Sequence, residues 1–106
     1  MLSLLLAGGL LLEGKAVYVK RCAGCHAADE HRMGPRLRGV FGRRAGTADG
    51  YPYSDALKAV RAVWDAKTLD KWLADPDALV PGNDMSFRVE KPEERMAIIA
   101  YLRNLK

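Results

Sequence analysis

The sequence predicts a small, mostly α domain in which short helices and long loops wrap around something that is not protein. Three observations predict this. The chain has 106 residues, 49% hydrophobic and 28% charged, which is ordinary for one globular domain and excludes disorder, collagen and disulfide-scaffold classes. Apolar residues recur at helical spacing in several short stretches, and no stretch alternates with period two. Two long irregular segments separate those stretches, and a small domain holds such loops best around a bound group. Seventeen Lys and Arg against thirteen Asp and Glu leave a net charge of +4, which bears on docking partners more than on fold.

Residues 1–12, MLSLLLAGGLLL, form an uncharged apolar extension, and residues 13–106 are expected to form a single domain. Twelve residues are too few to span a bilayer as a helix. No basic segment opens the stretch and no small-x-small cleavage site closes it. Three readings stay open: an extension packing on the domain or on a partner, a signal or membrane-anchor remnant, and an artificial addition.

A first helix is expected from about Leu10 to Arg21, with Leu10, Gly14, Val17 and Tyr18 on one face. Gly14 inside a helix costs roughly 1 kcal/mol against Ala, a cost tolerated where another helix must come close. Ala27 to Pro52 carries Gly34, Gly39, Gly42, Gly46 and Gly50 with two prolines and reads as loop. Ser54 is the N-cap of a short helix through about Val60. Asp65 caps a second, Ala66 to about Ala74, with Leu69, Trp72 and Leu73 buried and Pro76 ending it. Ala78 to Glu90 reads as a second irregular loop. The last helix begins at Pro92, with Glu93 and Glu94 at the positive end of its dipole and Ile98, Tyr101, Leu102 and Leu105 as its apolar stripe.

The chemistry is concentrated in Cys22-Ala23-Gly24-Cys25-His26, the C-x-x-C-H pattern of c-type haem attachment. Two thiols three residues apart can add to the two vinyl groups along one side of a porphyrin. The next residue then brings an imidazole beneath the iron. A thioredoxin-like pair would need a βαβ setting that is absent. A zinc site would need two more ligands, and His31 is the only other Cys or His. A six-coordinate iron needs a second ligand from His31, Met1, Met33, Met85 or Met96. His31 and Met33 follow His26 too closely to reach the opposite haem face easily, and Met96 reads as helix packing. Met85, in Pro81-Gly82-Asn83-Asp84-Met85-Ser86-Phe87, sits in a loop able to lie against that face. Its thioether favours ferrous iron.

With these residues in view, the chain resembles a class I cytochrome c of the mitochondrial and bacterial c2 type, over roughly Glu13 to Leu105. The matching residues run in the family's order: CAGCH, Gly34-Pro35-x-Leu37, Gly39-Val40-Phe41-Gly42-Arg43, Gly46, Tyr51-x-Tyr53-Ser54-x-Ala56, Trp64, Thr68-Leu69, Pro76, Pro81-Gly82-x-x-Met85-x-Phe87 and Ile99-Ala100-Tyr101-Leu102. The resemblance implies the cytochrome c fold around one covalently bound haem c, with first and last helices crossing at Gly14, Tyr18, Ile98 and Tyr101. It implies that the Pro35 carbonyl supports His26, that Arg43, Tyr53 and Trp64 face the haem propionates, and that Phe87 packs at the haem edge. The residue types agree, because buried propionates need charged or hydrogen-bonding partners. Core packing of Tyr53 and Trp64, and a solvated Arg43, are the competing readings. Three departures from the family stand out: Arg36 for Asn, Trp72 for Tyr, and Asn83-Asp84 for Thr-Lys. The last puts a negative charge where family partners read lysines, so the standard partner is not expected.

The expected function is that of a single-haem electron-transfer protein cycling Fe(III)/Fe(II), with ligands His26 and Met85. It is a carrier rather than an enzyme, serving alone or as the cytochrome subunit or domain of a dehydrogenase or respiratory complex. A gas sensor or peroxidase-like protein with a labile sixth ligand is the competing class. Redox proteins with acidic docking surfaces are the expected partners, the N-terminus is the one candidate for membrane contact, and a monomer or a subunit of a larger complex is expected. Nucleic-acid binding is disfavoured because Arg32, Arg36, Arg38, Arg43 and Arg44 alternate with glycines rather than aromatics. Haem attachment to this motif takes place outside the cytoplasm, so a bacterial periplasm is expected, with the mitochondrial intermembrane space as the alternative.

Overall fold

A computed structural model describes residues 13–106. The apolar extension, Met1 and the Leu10 end of the first helix lie outside the described residues. Among those described, five helices follow one another: α1 (residues 13–21), α2 (Asp55–Ala59), α3 (Ala66–Ala74), α4 (Pro76–Leu79) and α5 (Pro92–Asn104). No strand forms among them, and the only pairing of that kind is an isolated antiparallel bridge between Arg44 and Val63.

Helices α1 and α5 meet where the glycine allows it. A Cβ on Gly14 would lie 2.3 Å from the Ala97 carbonyl oxygen, so the two backbones touch with nothing between them. One turn further on, the rings of Tyr18 and Tyr101 pack at 4.8 Å between centroids. The crossing therefore falls on Ala97 and Tyr101, one residue from the expected Ile98, which is fully buried in the core beside it. The half-buried Arg21–Glu94 ion pair, at 3.1 Å, closes the same end.

Local signals set the other helices. Ser54 caps α2 by accepting the Leu57 N–H. Asp65 and Thr68 form a reciprocal capping box at the start of α3, and α3 buries Leu69, Trp72 and Leu73 as its spacing predicts. Pro76 does end α3, but it also begins α4. Asp75 accepts the Ala78 N–H as N-cap, and proline is at home in a first helical turn. The expected loop from Ala78 thus starts with a helical turn. Ile98 and Leu102 of α5 join Tyr18, Trp64, Leu69, Trp72 and Leu73 in one core.

The long segment between α1 and α2 is irregular but well tied. Its Gly39 N–H donates to the Leu105 carbonyl at the end of α5. Ala45 donates to Ala62 and Trp64 to Arg43, which brings Arg43 and Trp64 to one wall. Gly46 adopts φ +74°, and a Cβ there would strike the Leu57 carbonyl oxygen at 2.5 Å, so this turn seats directly on α2.

Candidate functional site

These elements enclose an apolar cavity of about 320 Å³, within the roughly 300–1,000 Å³ of small-molecule sites. Every residue given a haem-binding role from the sequence lines it: Cys22, Cys25, His26, Pro35, Arg43, Tyr53, Trp64, Met85 and Phe87. The remainder of the wall is mostly Leu37, Val40, Leu57, Leu69, Trp72, Leu73, Ile98 and Leu102.

The C-x-x-C-H stretch continues directly from α1. Cys22 N–H still reaches the Tyr18 carbonyl, and both Cys25 and His26 N–H groups fold back onto the Cys22 carbonyl at 3.1 and 2.9 Å. These turns present both sulfurs and the imidazole to one cavity. Burial pushes the Cys22 thiol up to about 11, with the neighbouring Cys25 adding to the shift. Burial thus keeps the free thiol neutral.

His26 is held at its other ring atom. Its Nδ1 lies 2.8 Å from the Pro35 carbonyl oxygen. The carbonyl can only accept, so Nδ1 carries the proton and Nε2 keeps its lone pair. Burial holds the imidazole below its ordinary pKa, while the Pro35 bond opposes that shift, so the ring is neutral and ready to ligate.

Met85 lines the same cavity, half-buried in its loop. The other candidate ligands are placed differently. Met33 is 79% exposed and Met96 61% exposed, and Met96 does not line the cavity. His31 is engaged at both ring nitrogens, with Asp49 O at 2.6 Å and the Arg36 N–H at 3.0 Å.

The expected polar partners differ in how committed they are. Tyr53 is buried, and its hydroxyl accepts the Ala48 N–H at 3.1 Å while donating to nothing among the described residues. The Trp64 indole is buried against Trp72, 5.3 Å between ring centroids, and its N–H makes no hydrogen bond among the described residues. Both groups retain a donor for an acidic ligand. Arg43 is half-buried and already donates to the Arg36 and Arg38 carbonyls, so part of its fork organises the loop. Phe87 stands at the mouth, 44% exposed.

Sequence reasoning missed several participants. Gly34 has its open side against the His26 ring, where a Cβ would lie 2.2 Å from Cε1. Tyr51 packs edge-on against Tyr53 and donates its hydroxyl proton to the Met33 carbonyl. His31 clasps two parts of the loop. Gly34 and Tyr51 stood in the sequence only as matches to the family pattern and His31 only as a candidate ligand, none of them with these contacts.

A helical shell around an apolar cavity that gathers two thiols, a neutral imidazole and a thioether is the scaffold of a covalent haem protein. Comparison with known proteins agrees. The Cytochrome c family model matches residues 11–106. Cytochrome c of Chlamydomonas reinhardtii is 43% identical over 99 residues, covering 90% of this chain and 88% of that relative. Cytochrome c2 iso-2 of Magnetospirillum molischianum is 43% identical over 88 residues, covering 80% and 91%. The solved structure of cytochrome cH from Methylobacterium extorquens superposes with a TM-score of 0.83 at 42% identity, covering 88% of this chain and 96% of that one. The chain belongs to the cytochrome c family. Its members are electron carriers rather than enzymes and bear one covalently attached haem c.

Proposed function

We propose that residues 13–106 form a one-haem domain that carries single electrons between redox proteins, with Cys22 and Cys25 bound to the haem and His26 and Met85 as axial ligands. The observation that carries this reading is the convergence of these four side chains on one apolar cavity. When bound, the haem supplies a one-electron Fe(III)/Fe(II) couple.

The chain's own residues do the rest. Cys22 and Cys25 would hold the haem through thioethers to its two vinyl groups, each the net addition of one S–H across one C=C with no oxidant required. Pro35 orients His26. Tyr53, Trp64 and the remaining donors of Arg43 meet the propionates, whose charge would otherwise be costly to bury. The apolar wall keeps water out, and Phe87 covers the haem edge at the mouth. Met85 on the iron would compete with oxygen and carbon monoxide for the same position. The compartment consistent with this attachment chemistry is a bacterial periplasm, and the partners are redox proteins that approach the mouth.

Two measurements test the reading. After extraction with acid and organic solvent, the matured chain keeps the mass of one haem; bare polypeptide mass would refute attachment. Ferrous protein binds carbon monoxide weakly at neutral pH and Met85→Ala binds it readily. Equal, avid binding by both would remove Met85 from the iron and favour a sensor or peroxidase-like role.

A further inference from the structure

The loop that carries Met85 has few ties of its own. Pro81, Gly82, Asp84, Ser86 and Phe87 are exposed, and Gly82 turns the chain at φ +87°. One side chain holds this stretch together. The Asn83 amide Nδ2 donates to the Val80 carbonyl at 2.8 Å and to Asp77 Oδ1 at 3.1 Å. Its Oδ1 accepts the Met85 N–H at 2.6 Å. Both donor and acceptor ends of the amide are therefore used. The only other side-chain tie within residues 81–88, among the described residues, is the Arg88–Asp75 ion pair at 3.2 Å.

The far end of this linkage is anchored. Asp77 belongs to α4, whose first residue Pro76 is fully buried and whose cap Asp75 is also the C-cap of α3. A rigid part of the fold thus reaches the Met85 backbone through one amide.

We propose that Asn83 is the positioning residue for Met85: its amide fixes the backbone from which the thioether projects, and Asp77 holds that amide to α4. This rests on the reading of Met85 as the second axial ligand. A threonine has one hydroxyl and cannot make the three bonds of this amide at once. Without the amide, the loop samples conformations in which the sulfur leaves its place, and an added ligand then competes in proportion to the open fraction.

The test uses the holoprotein with carbon monoxide on the ferrous form, the absorption of the Fe(III)–S bond on the ferric form, and thermal unfolding. Asn83→Ala is expected to tighten apparent carbon monoxide binding about tenfold, the effect of roughly 1.4 kcal/mol, and to weaken the Fe–S absorption. Asn83→Ser, which keeps an acceptor for the Met85 N–H, restores part of both. Asp77→Ala moves both in the same direction by less, although it is eight positions from the sulfur in sequence, and it keeps the proposal falsifiable should Asn83→Ala fail to fold. Carbon monoxide binding that stays at the parent value in Asn83→Ala while Met85→Ala raises it overturns the proposal alone, as does a lowered unfolding temperature with unchanged ligation. Met85→Ala with unchanged carbon monoxide binding overturns the axial-ligand reading and this inference with it.

Discussion

Gly34 and His26 occupy a space that admits only one side chain: a Cβ on Gly34 would lie 2.2 Å from Cε1, 2.6 Å from Nδ1 and 2.7 Å from Nε2 of the imidazole. The glycine backbone thus backs the ring while the carbonyl of the next residue, Pro35, accepts the hydrogen bond from its Nδ1–H. Two consecutive residues set the position and the tautomer of the candidate ligand.

Gly34→Ala is therefore expected to displace the ring, because the three nearest atoms it would strike all belong to the imidazole. Overpacking of this kind costs about 1–3 kcal/mol. Denaturant unfolding of the holoprotein measures that loss, and the visible spectrum reports disturbed ligation. A variant with parent stability and parent spectrum would show that the ring yields freely.

Gly14→Ala separates packing from ligation. Alanine gains roughly 1 kcal/mol in intrinsic helix preference. Its Cβ would nevertheless lie 2.3 Å from the Ala97 carbonyl oxygen and 3.1 Å from the Tyr101 Cβ. Backbone cannot move aside as a side chain tip can, so α1 and α5 must part. Net destabilisation of about 1–3 kcal/mol is expected, with the spectrum of the haem unchanged below the unfolding transition. Stabilisation by the alanine would mean that the helix crossing is looser than the contact distances require.

The acid limb of stability should carry a signature of the α3 cap. Asp65 accepts the Thr68 backbone N–H and contacts its hydroxyl, and these bonds hold the carboxyl below its ordinary value of 3.8. The lowered folded value means that the stabilisation is present above about 3.8 and is lost as pH falls through the folded value. Asp65→Asn keeps a capping oxygen without a titrating group. Its unfolding free energy should fall less steeply than the parent's below that pH. Parallel acid limbs for the two proteins would remove Asp65 from the acid response.

Most of the helices and the cavity wall were legible because their causes are local. Ser54 and Asp65 are caps in the sequence and caps in the fold. The C-x-x-C-H residues, Met85, and Ile98 and Leu102 of the α5 stripe all reach the same cavity. The helical turn at α4 escaped because Pro76 was read only as a stop, whereas Asp75 before it makes it a start. Gly34, His31 and Asn83 escaped for another reason. Their partners are a ring eight residues away, the Asp49 carbonyl, and an aspartate six residues back. Such contacts exist only once the loops have closed, and no periodicity announces them. The Asn83-Asp84 departure was visible as charge but not as geometry.

Charge at the mouth is the last feature with a measurable consequence. The whole chain carries +4, which alone would speed an anionic reaction partner. The exposed residues lining the cavity are Cys25, Met33, Asp84, Ser86 and Phe87, and Asp84 is the sole charge among them. An approaching redox molecule therefore meets an apolar rim with one negative group, not the field of the average surface. Oxidation of the ferrous holoprotein by an anionic iron cyanide complex and by a cationic cobalt chelate separates the two effects. Asp84→Asn should speed the anionic oxidant and slow the cationic one at low salt. Glu93→Gln makes the same change in net charge on an exposed residue of α5 that does not line the cavity, so its effect should be much smaller. Differences should shrink as salt rises, since screening acts over about 10 Å at 0.1 M and about 3 Å at 1 M. Equal effects of the two substitutions would mean that electrons do not leave through the mouth beside Met85, and that net charge alone steers the encounter.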